Sequence, residues 1–125
     1  MTDDDGALTG RPLRLRVYLD ERRWLGPGKA DLLALIDETG SISAAGRRMK
    51  MSYKRAWTLA EALNAMFSEP LIESARGGAQ GGGAALTPLG RQVLARFRAI
   101  QAGAEQAAAA EIAALRGLSD MSGRK

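Results

Sequence analysis

Cysteine and histidine are both absent from this 125-residue sequence. Without cysteine the chain can form no disulfide and offers no thiolate to a metal ion. Without histidine it lacks the imidazole of most zinc sites and the base of Ser-His and Cys-His catalytic pairs. No other converging acid and base stands out, so we expect a protein that is not an enzyme and has no cofactor or metal site.

Long apolar runs are missing as well. No segment approaches the roughly 20 apolar residues that a membrane-spanning helix needs. The acidic start, MTDDDGALTG, is unlike a secretory signal. We therefore expect a cytoplasmic protein without membrane contact, with a disordered leader at 1–12 and a disordered tail at 117–125. The net charge of +4 favours an acidic partner such as nucleic acid.

Hydrophobic periodicity predicts the order of the first elements. At 13–19 apolar residues alternate with basic and aromatic ones, which indicates a half-buried strand. The following RRWLGPGK is typical of a turn. Three helices are then predicted, at 29–40, 42–49 and 53–67.

The second and third predicted helices are joined by a very short turn. Ser52 suits the N-cap of the third helix, which leaves only Lys50 and Met51 between the two. Helices joined so closely must cross steeply, which is the geometry of a helix-turn-helix.

Two short strands and a long helix are predicted next. PLIES begins at Pro70 and AALT at Ala84, and together they predict a β-hairpin. Thr87 followed by Pro88 is a cap with a proline at the first helical position. The fold class is therefore mainly α with a small β-hairpin: a winged helix-turn-helix at 13–88 and a long C-terminal dimerisation helix at 89–116.

That last helix has a continuous apolar line, which we assign to a dimer interface. An amphipathic core helix and a helix that binds a different partner chain remain alternatives. The line consists of Val93, Phe97, Ile100, Ala104, Ala108 and Ile112.

One stretch of the chain is basic and contains no acidic residue. Between Gly40 and Ala60 there are five basic residues and no acidic ones. Basic side chains at a helix N-terminus oppose the positive end of its macrodipole, and a bound polyanion would reverse that penalty. The start of the second helix of a helix-turn-helix enters the major groove of DNA. A plain cap and a solvated basic face are the alternative interpretations.

The stretch therefore provides candidate DNA contacts of two kinds. Trp57 is expected to pack against neighbouring elements rather than to stack on a base. For the recognition helix the candidates are Ser52, Tyr53, Lys54, Arg55 and Thr58. For the phosphates they are Arg47, Arg48 and Lys50.

The glycine-rich stretch RGGAQGGGAALTPLG, which begins at Arg76, allows three interpretations. A P-loop would need Lys-Ser or Lys-Thr after the glycines, and neither is present. A linker is disfavoured because a strand and a capped helix follow at once. A wing fits best, since glycines let the backbone approach phosphates closely. The candidate wing contacts are Arg76, Gly77, Gly78, Gln80 and Gly81; a hairpin without DNA contact is the alternative.

Four segments together resemble the N-terminal DNA-binding domain of the ModE family of molybdate-responsive transcriptional regulators. They are TGSISAA at 39–45, MSYKRAW at 51–57, EALN at 61–64 and GGGAALTPLG at 81–90. The resemblance spans roughly 13–110 and implies a LysR-like winged helix-turn-helix that binds DNA as a dimer. It also implies that 52–55 begin the recognition helix and that 76–83 form the wing.

The sequence departs from the family pattern in three ways. The family's molybdate-binding domains would begin near Lys125, so no molybdate site is expected. The family has glycine in the turn where this chain has Lys50. A left-handed lysine costs roughly 1 kcal/mol, so a different turn is expected. Ser74 and Ala79 stand where the family's wing tends to be basic, so weaker wing binding is expected.

These observations favour a sequence-specific regulator that binds double-stranded DNA as a homodimer. Two alternatives stay open: an interaction adaptor that uses the long helix, and an architectural protein that binds DNA without sequence preference. Whether a separate chain supplies an effector sensor is also open.

Overall fold

The structure is a computed structural model, and it describes residues 11–75 and 83–119. Within these residues two antiparallel strand pairs and four helices follow one another along the chain. The elements are β1 (Val17–Tyr18), β2 (Trp24–Leu25), α1 (Pro27–Thr39), α2 (Ile42–Arg48), α3 (Tyr53–Met66), β3 (Ile72–Ala75), β4 (Gly83–Leu86) and α4 (Pro88–Leu118).

The first strand is shorter than its sequence pattern predicts. Odd-numbered residues from 13 to 17 are half-buried and the even-numbered ones are exposed, so the alternation is confirmed. Only Val17 and Tyr18 pair, with Leu25 and Trp24. The predicted turn at RRWLGPGK was wrong in part, because it contains β2; the chain reverses earlier. There Asp20 accepts hydrogen bonds from the backbone N–H groups of Arg22 and Arg23.

Two cations hold Trp24 in this hairpin. The Arg16 guanidinium carbon and the Lys29 ammonium lie 3.9 and 3.7 Å from the centre of its ring. The pKa of Lys29 is lowered, mainly by burial and also by Arg16. Cation–π contacts of this kind join the hairpin to the start of α1.

The helix boundaries follow the expected capping signals. Gly40 ends α1 in the left-handed conformation, with φ 74°, which costs glycine nothing. The hydroxyl of Ser41 then accepts from the N–H of Ala44, and that of Ser52 accepts from the N–H of Arg55. Both serines therefore cap the helices that they were predicted to start.

A close contact sets the crossing of α2 and α3. Gly46 is buried inside α2, and a Cβ atom placed there would lie 2.7 Å from the Cβ of Ala56 on α3. Two small residues thus let the backbones approach over the short turn. The core beneath them is apolar; its largest fully buried side chains are Leu32, Leu33, Ile36, Leu63, Leu71 and Leu86.

The hairpin β3–β4 is joined to the helices at both ends. Its register pairs Ile72 with Leu86 and Ala75 with Gly83. The N–H of Ala84 donates to the carbonyl of Gly40 at 2.8 Å. At the other end Thr87 caps α4 by accepting from the N–H of Gly90, while its own hydroxyl donates to the carbonyl of Pro70 at 2.8 Å.

The helix α4 has 31 residues, so it is about 46 Å long. Val93 and Phe97 belong to the core of the protomer, with 8% and 2% of their surface exposed. Their assignment to a dimer interface is therefore corrected, because the first turns of α4 cover the helical domain. Ile100 is exposed, and Ala104, Ala108 and Ile112 are half-exposed. The predicted fold, a winged helix-turn-helix with a long C-terminal helix, is confirmed.

Candidate nucleic-acid interface

The first turn of α3 presents a basic, exposed surface. Tyr53, Lys54 and Arg55 are all exposed, and Tyr53 keeps 61% of its surface open. The turn contains no acidic residue. Thr58 is exposed one turn later, and its hydroxyl donates to the carbonyl of Lys54 at 2.9 Å. Lys54, Arg55 and Thr58 lie together on one open surface, whereas Tyr53 lines the adjoining groove towards β3 and β4.

This arrangement is electrostatically unfavourable for the isolated helix. Free N–H groups give a helix N-terminus a partial positive charge, and nearby cations weaken the helix by a few tenths of a kcal/mol each. No carboxylate of the described residues forms an ion pair with Lys54 or Arg55. An anion placed at this end of α3 would therefore be attracted both by the side chains and by the helix.

The basic residues at the end of α2 differ in how they are held. Arg47 donates to the hydroxyl of Ser43 at 3.0 Å, which keeps its charge available. Arg48 forms an exposed ion pair with Glu38 at 3.4 Å. Such a pair contributes little in water, so Arg48 can exchange it for a phosphate.

Lys50 is the unusual residue of the turn. Its φ is 60°, the left-handed region that favours glycine. The expected change of turn was therefore wrong: the chain keeps the left-handed turn and places a lysine in it. The turn is closed by the N–H of Met51, which donates to the carbonyl of Gly46 at 3.0 Å. The Lys50 side chain consequently stands exposed between α2 and α3.

The wing candidates Arg76, Gly77, Gly78, Gln80 and Gly81 lie outside the described residues. The base of the hairpin, at Ala75 and Gly83, is described. A groove of about 290 Å³ separates this base from α3. Its lining includes Tyr53, Trp57 and Glu61 from α3 and Glu73 from β3.

Two residues of this region were not among the site residues predicted from the sequence. Trp57, expected to pack, keeps 40% of its surface exposed. Asn64 fastens α3 to the hairpin: its carbonyl accepts from the N–H groups of Leu71 and Ile72 at 2.9 Å each, and its amide donates to the Ile72 carbonyl at 3.1 Å. The sequence signal for Asn64 was a polar residue on the otherwise apolar inner side of the predicted third helix, where it needs a hydrogen-bond partner.

A second, apolar groove lies on another face. Its volume is about 280 Å³, and it runs between the N-terminal hairpin and the first half of α4. Ile100 lies at its edge, 47% exposed. Farther along α4, Leu115 and Leu118 are 66% and 83% exposed. An apolar groove and an apolar helix end are thus both open on one protomer.

Comparison with known proteins identifies the domain. No protein-family model matches the chain. It is 42% identical over 102 residues to the molybdenum-pterin-binding protein MopB of Rhodobacter capsulatus, covering 82% of this chain and 38% of MopB. It is 36% identical over 93 residues to the transcriptional regulator ModE of Haemophilus influenzae, covering 74% of this chain and 36% of that protein. The chain contains a ModE-like winged helix-turn-helix domain.

Solved structures agree with the winged helix-turn-helix fold. The ModE-like domain superimposes on a CbnR_DBD–DNA complex with a TM-score of 0.56 and 24% identity, over 70% of this chain and 95% of the other. Full-length CbnR complexed with target DNA gives a TM-score of 0.55 and 26% identity, over 72% of this chain and 30% of the other. The chain spans little more than a third of the length of the two curated relatives named above. No described helix is long and apolar enough to cross a membrane.

Proposed function

We propose that this chain is a sequence-specific regulator of transcription that binds double-stranded DNA as a homodimer. The observation that supports this most directly is the acid-free, exposed first turn of α3, with Lys54 and Arg55 at the positive end of the helix. The regulator names of the ModE relatives and the DNA complexes of CbnR point the same way.

The first turn of α3 is proposed to enter the major groove. Arg55 can give two parallel hydrogen bonds to guanine O6 and N7, while Lys54 contacts a base edge or a phosphate. The Ser52 hydroxyl accepts from the helix and still has its own proton to donate to a phosphate. Arg47, Arg48 and Lys50 are proposed to contact the phosphates of the DNA backbone beside the major groove. The wing candidates Arg76, Gly77, Gly78, Gln80 and Gly81 are proposed to contact the DNA backbone farther from α3.

Dimerisation is proposed to use α4 from Ile100 onwards, beyond the turns that are buried in the protomer. Ile100, Ala104, Ala108 and Ile112 recur on this part of the helix, and the alanines permit a close approach of a second helix. The exposed Leu115 and Leu118 add apolar area. Two recognition helices related by a two-fold axis read half-sites about 34 Å apart, so the proposal predicts a palindromic operator.

Fluorescence anisotropy on duplex DNA at several salt concentrations tests DNA binding. We expect affinity to fall steeply with salt, because bound phosphates release counterions. Replacing Lys54 and Arg55 together by alanine should weaken binding by about 1–3 kcal/mol through the lost guanine contact of Arg55. The salt slope should fall by about 1 at most, because only Lys54 of this pair is assigned to a phosphate as an alternative to a base edge. The matched control is Arg22→Ala, which removes an exposed arginine on the N-terminal hairpin. Equal affinity of the double variant and the wild type would reject the assigned contacts.

Two further measurements separate this proposal from its alternatives. Light scattering should give a dimer at micromolar concentration; a monomer would favour an adaptor whose exposed Leu115 and Leu118 bind another chain. Selection from a random DNA pool should return a palindrome. A specificity ratio near one would instead support architectural binding.

A further inference from the structure

Trp57 occupies an unusual place for a tryptophan. It lies one turn after Tyr53 on α3, and the two rings meet edge to face, with centroids 6.1 Å apart and planes at 68°. Both rings are substantially exposed. Tryptophan is a large apolar side chain, and the part of it that stays exposed to water does not contribute the stabilisation that burial would give. The exposed part of the Trp57 ring is therefore available for contact with a partner.

The groove around Trp57 disfavours contact with a phosphate. Trp57 lines the groove between α3 and the base of the wing, together with the carboxylates Glu61 and Glu73. Like charges repel, so two carboxylates that line the groove disfavour a phosphate inside it. The group that approaches Trp57 from DNA is thus expected to be uncharged.

The position of Trp57 along α3 is consistent with contact to a base edge in the major groove. Tyr53 and Trp57 lie in the first two turns, about 6 Å apart along the axis, within the part of the helix that enters a groove about 8.5 Å deep. The apolar group at the base edges of the major groove is the C5-methyl of thymine. We propose that Trp57, with its ring supported by Tyr53, is a specificity-determining residue that contacts a thymine methyl. This inference rests on the proposed DNA-binding function.

Deoxyuridine substitution tests the contact directly. Deoxyuridine lacks only the C5-methyl of thymine, so each thymine of the selected operator is replaced in turn. For the wild type we expect about fourfold weaker binding at one position in each half-site, the effect of losing one buried methyl group. Trp57→Ala should bind the thymine operator more weakly and lose the penalty at that position. Lys54→Ala should weaken binding to the operator but retain the deoxyuridine penalty at that position.

Fluorescence gives a second readout. The chain has two tryptophans, so Trp24→Phe leaves Trp57 as the only indole. We expect its emission to change when DNA binds, and to change less with the deoxyuridine duplex. Trp57→Phe should retain part of the methyl preference, and its urea midpoint separates loss of contact from loss of folding.

The outcomes are distinguishable. Binding without a deoxyuridine penalty at any position, or with the same penalty in Trp57→Ala and the wild type, overturns the thymine contact and leaves the DNA-binding function intact. If the wild type binds no duplex DNA at low salt, the proposed function fails and the contact fails with it.

Discussion

Asn64 joins the recognition helix to the strand that leads into the wing, so its removal should affect both stability and binding. Its side chain forms three hydrogen bonds, to the N–H groups of Leu71 and Ile72 and to the carbonyl of Ile72. These two residues are almost fully buried, at 0% and 5% exposure. Asn64→Ala removes the only partner that α3 offers to these three backbone groups.

The expected cost can be worked out from these bonds. An unsatisfied buried donor or acceptor costs about 1–3 kcal/mol. Asn64 itself is half-buried, so water can reach part of the space left by truncation. We therefore expect Asn64→Ala to lower the free energy of unfolding by about 2–4 kcal/mol, a large part of a typical 5–15 kcal/mol.

Urea unfolding followed by far-UV circular dichroism measures this cost. Asn64→Asp is the informative companion, because a carboxylate can still accept from both N–H groups but cannot donate to the Ile72 carbonyl. It should cost about half as much. Ala65→Ser, at the next and exposed position, should change stability by about 0.5 kcal/mol.

The same variants link folding to function. A folded Asn64→Ala protein should bind DNA more weakly at temperatures where it is fully folded, because β3 then loses its side-chain hydrogen bonds to α3. Less than about 1 kcal/mol of destabilisation, or equal losses in the alanine and aspartate variants, would refute the assigned role of these hydrogen bonds.

Three further predictions concern backbone geometry and charge. Gly46→Ala should destabilise the fold by about 1–3 kcal/mol, measured by urea unfolding, and adding Ala56→Gly should recover part of the loss because it removes the clash. Lys50→Gly should stabilise by about 0.5–1 kcal/mol because φ is 60°, whereas Lys50→Ala should not; both are compared by thermal unfolding. The Arg23 side chain, followed by the N–H groups of Arg23 and Arg22, lowers the pKa of Asp20 from 3.8 to about 2. The contribution of ionised Asp20 to the free energy of unfolding is therefore complete above about pH 5 and is lost as pH falls through about 2. An NMR titration of the hairpin amides checks this; unchanged amide shifts would contradict it.

Local signals made most of the fold predictable. The caps at Ser41, Ser52 and Thr87 depend on a side chain and a backbone group only three residues away, so the starts of α2, α3 and α4 could be inferred from neighbouring residues. Gly40 marked a helix end for the same reason. The start of α1 has no side-chain cap and was placed two residues too late. The basic start of α3 was visible because helix polarity and charge order are both properties of the sequence.

Contacts between distant residues could not be inferred in the same way. The strand β2 was predicted as a turn because two paired residues have no periodicity to recognise. Val93 and Phe97 fit an amphipathic stripe, but a stripe does not say which body covers it. Their burial in the protomer depends on where α4 crosses the domain.

The sequence by itself determined the order of the four helices and the wing hairpin, the starts of α2, α3 and α4, and the basic face of α3, since each depends on residues within one or two turns. Only the tertiary structure decided that Asn64 fastens α3 to β3, that Lys50 takes a left-handed turn and that Trp57 remains exposed. Each of these depends on how helix α3 packs against its neighbours, because side-chain burial and backbone approach are set by the elements that meet there rather than by local propensity.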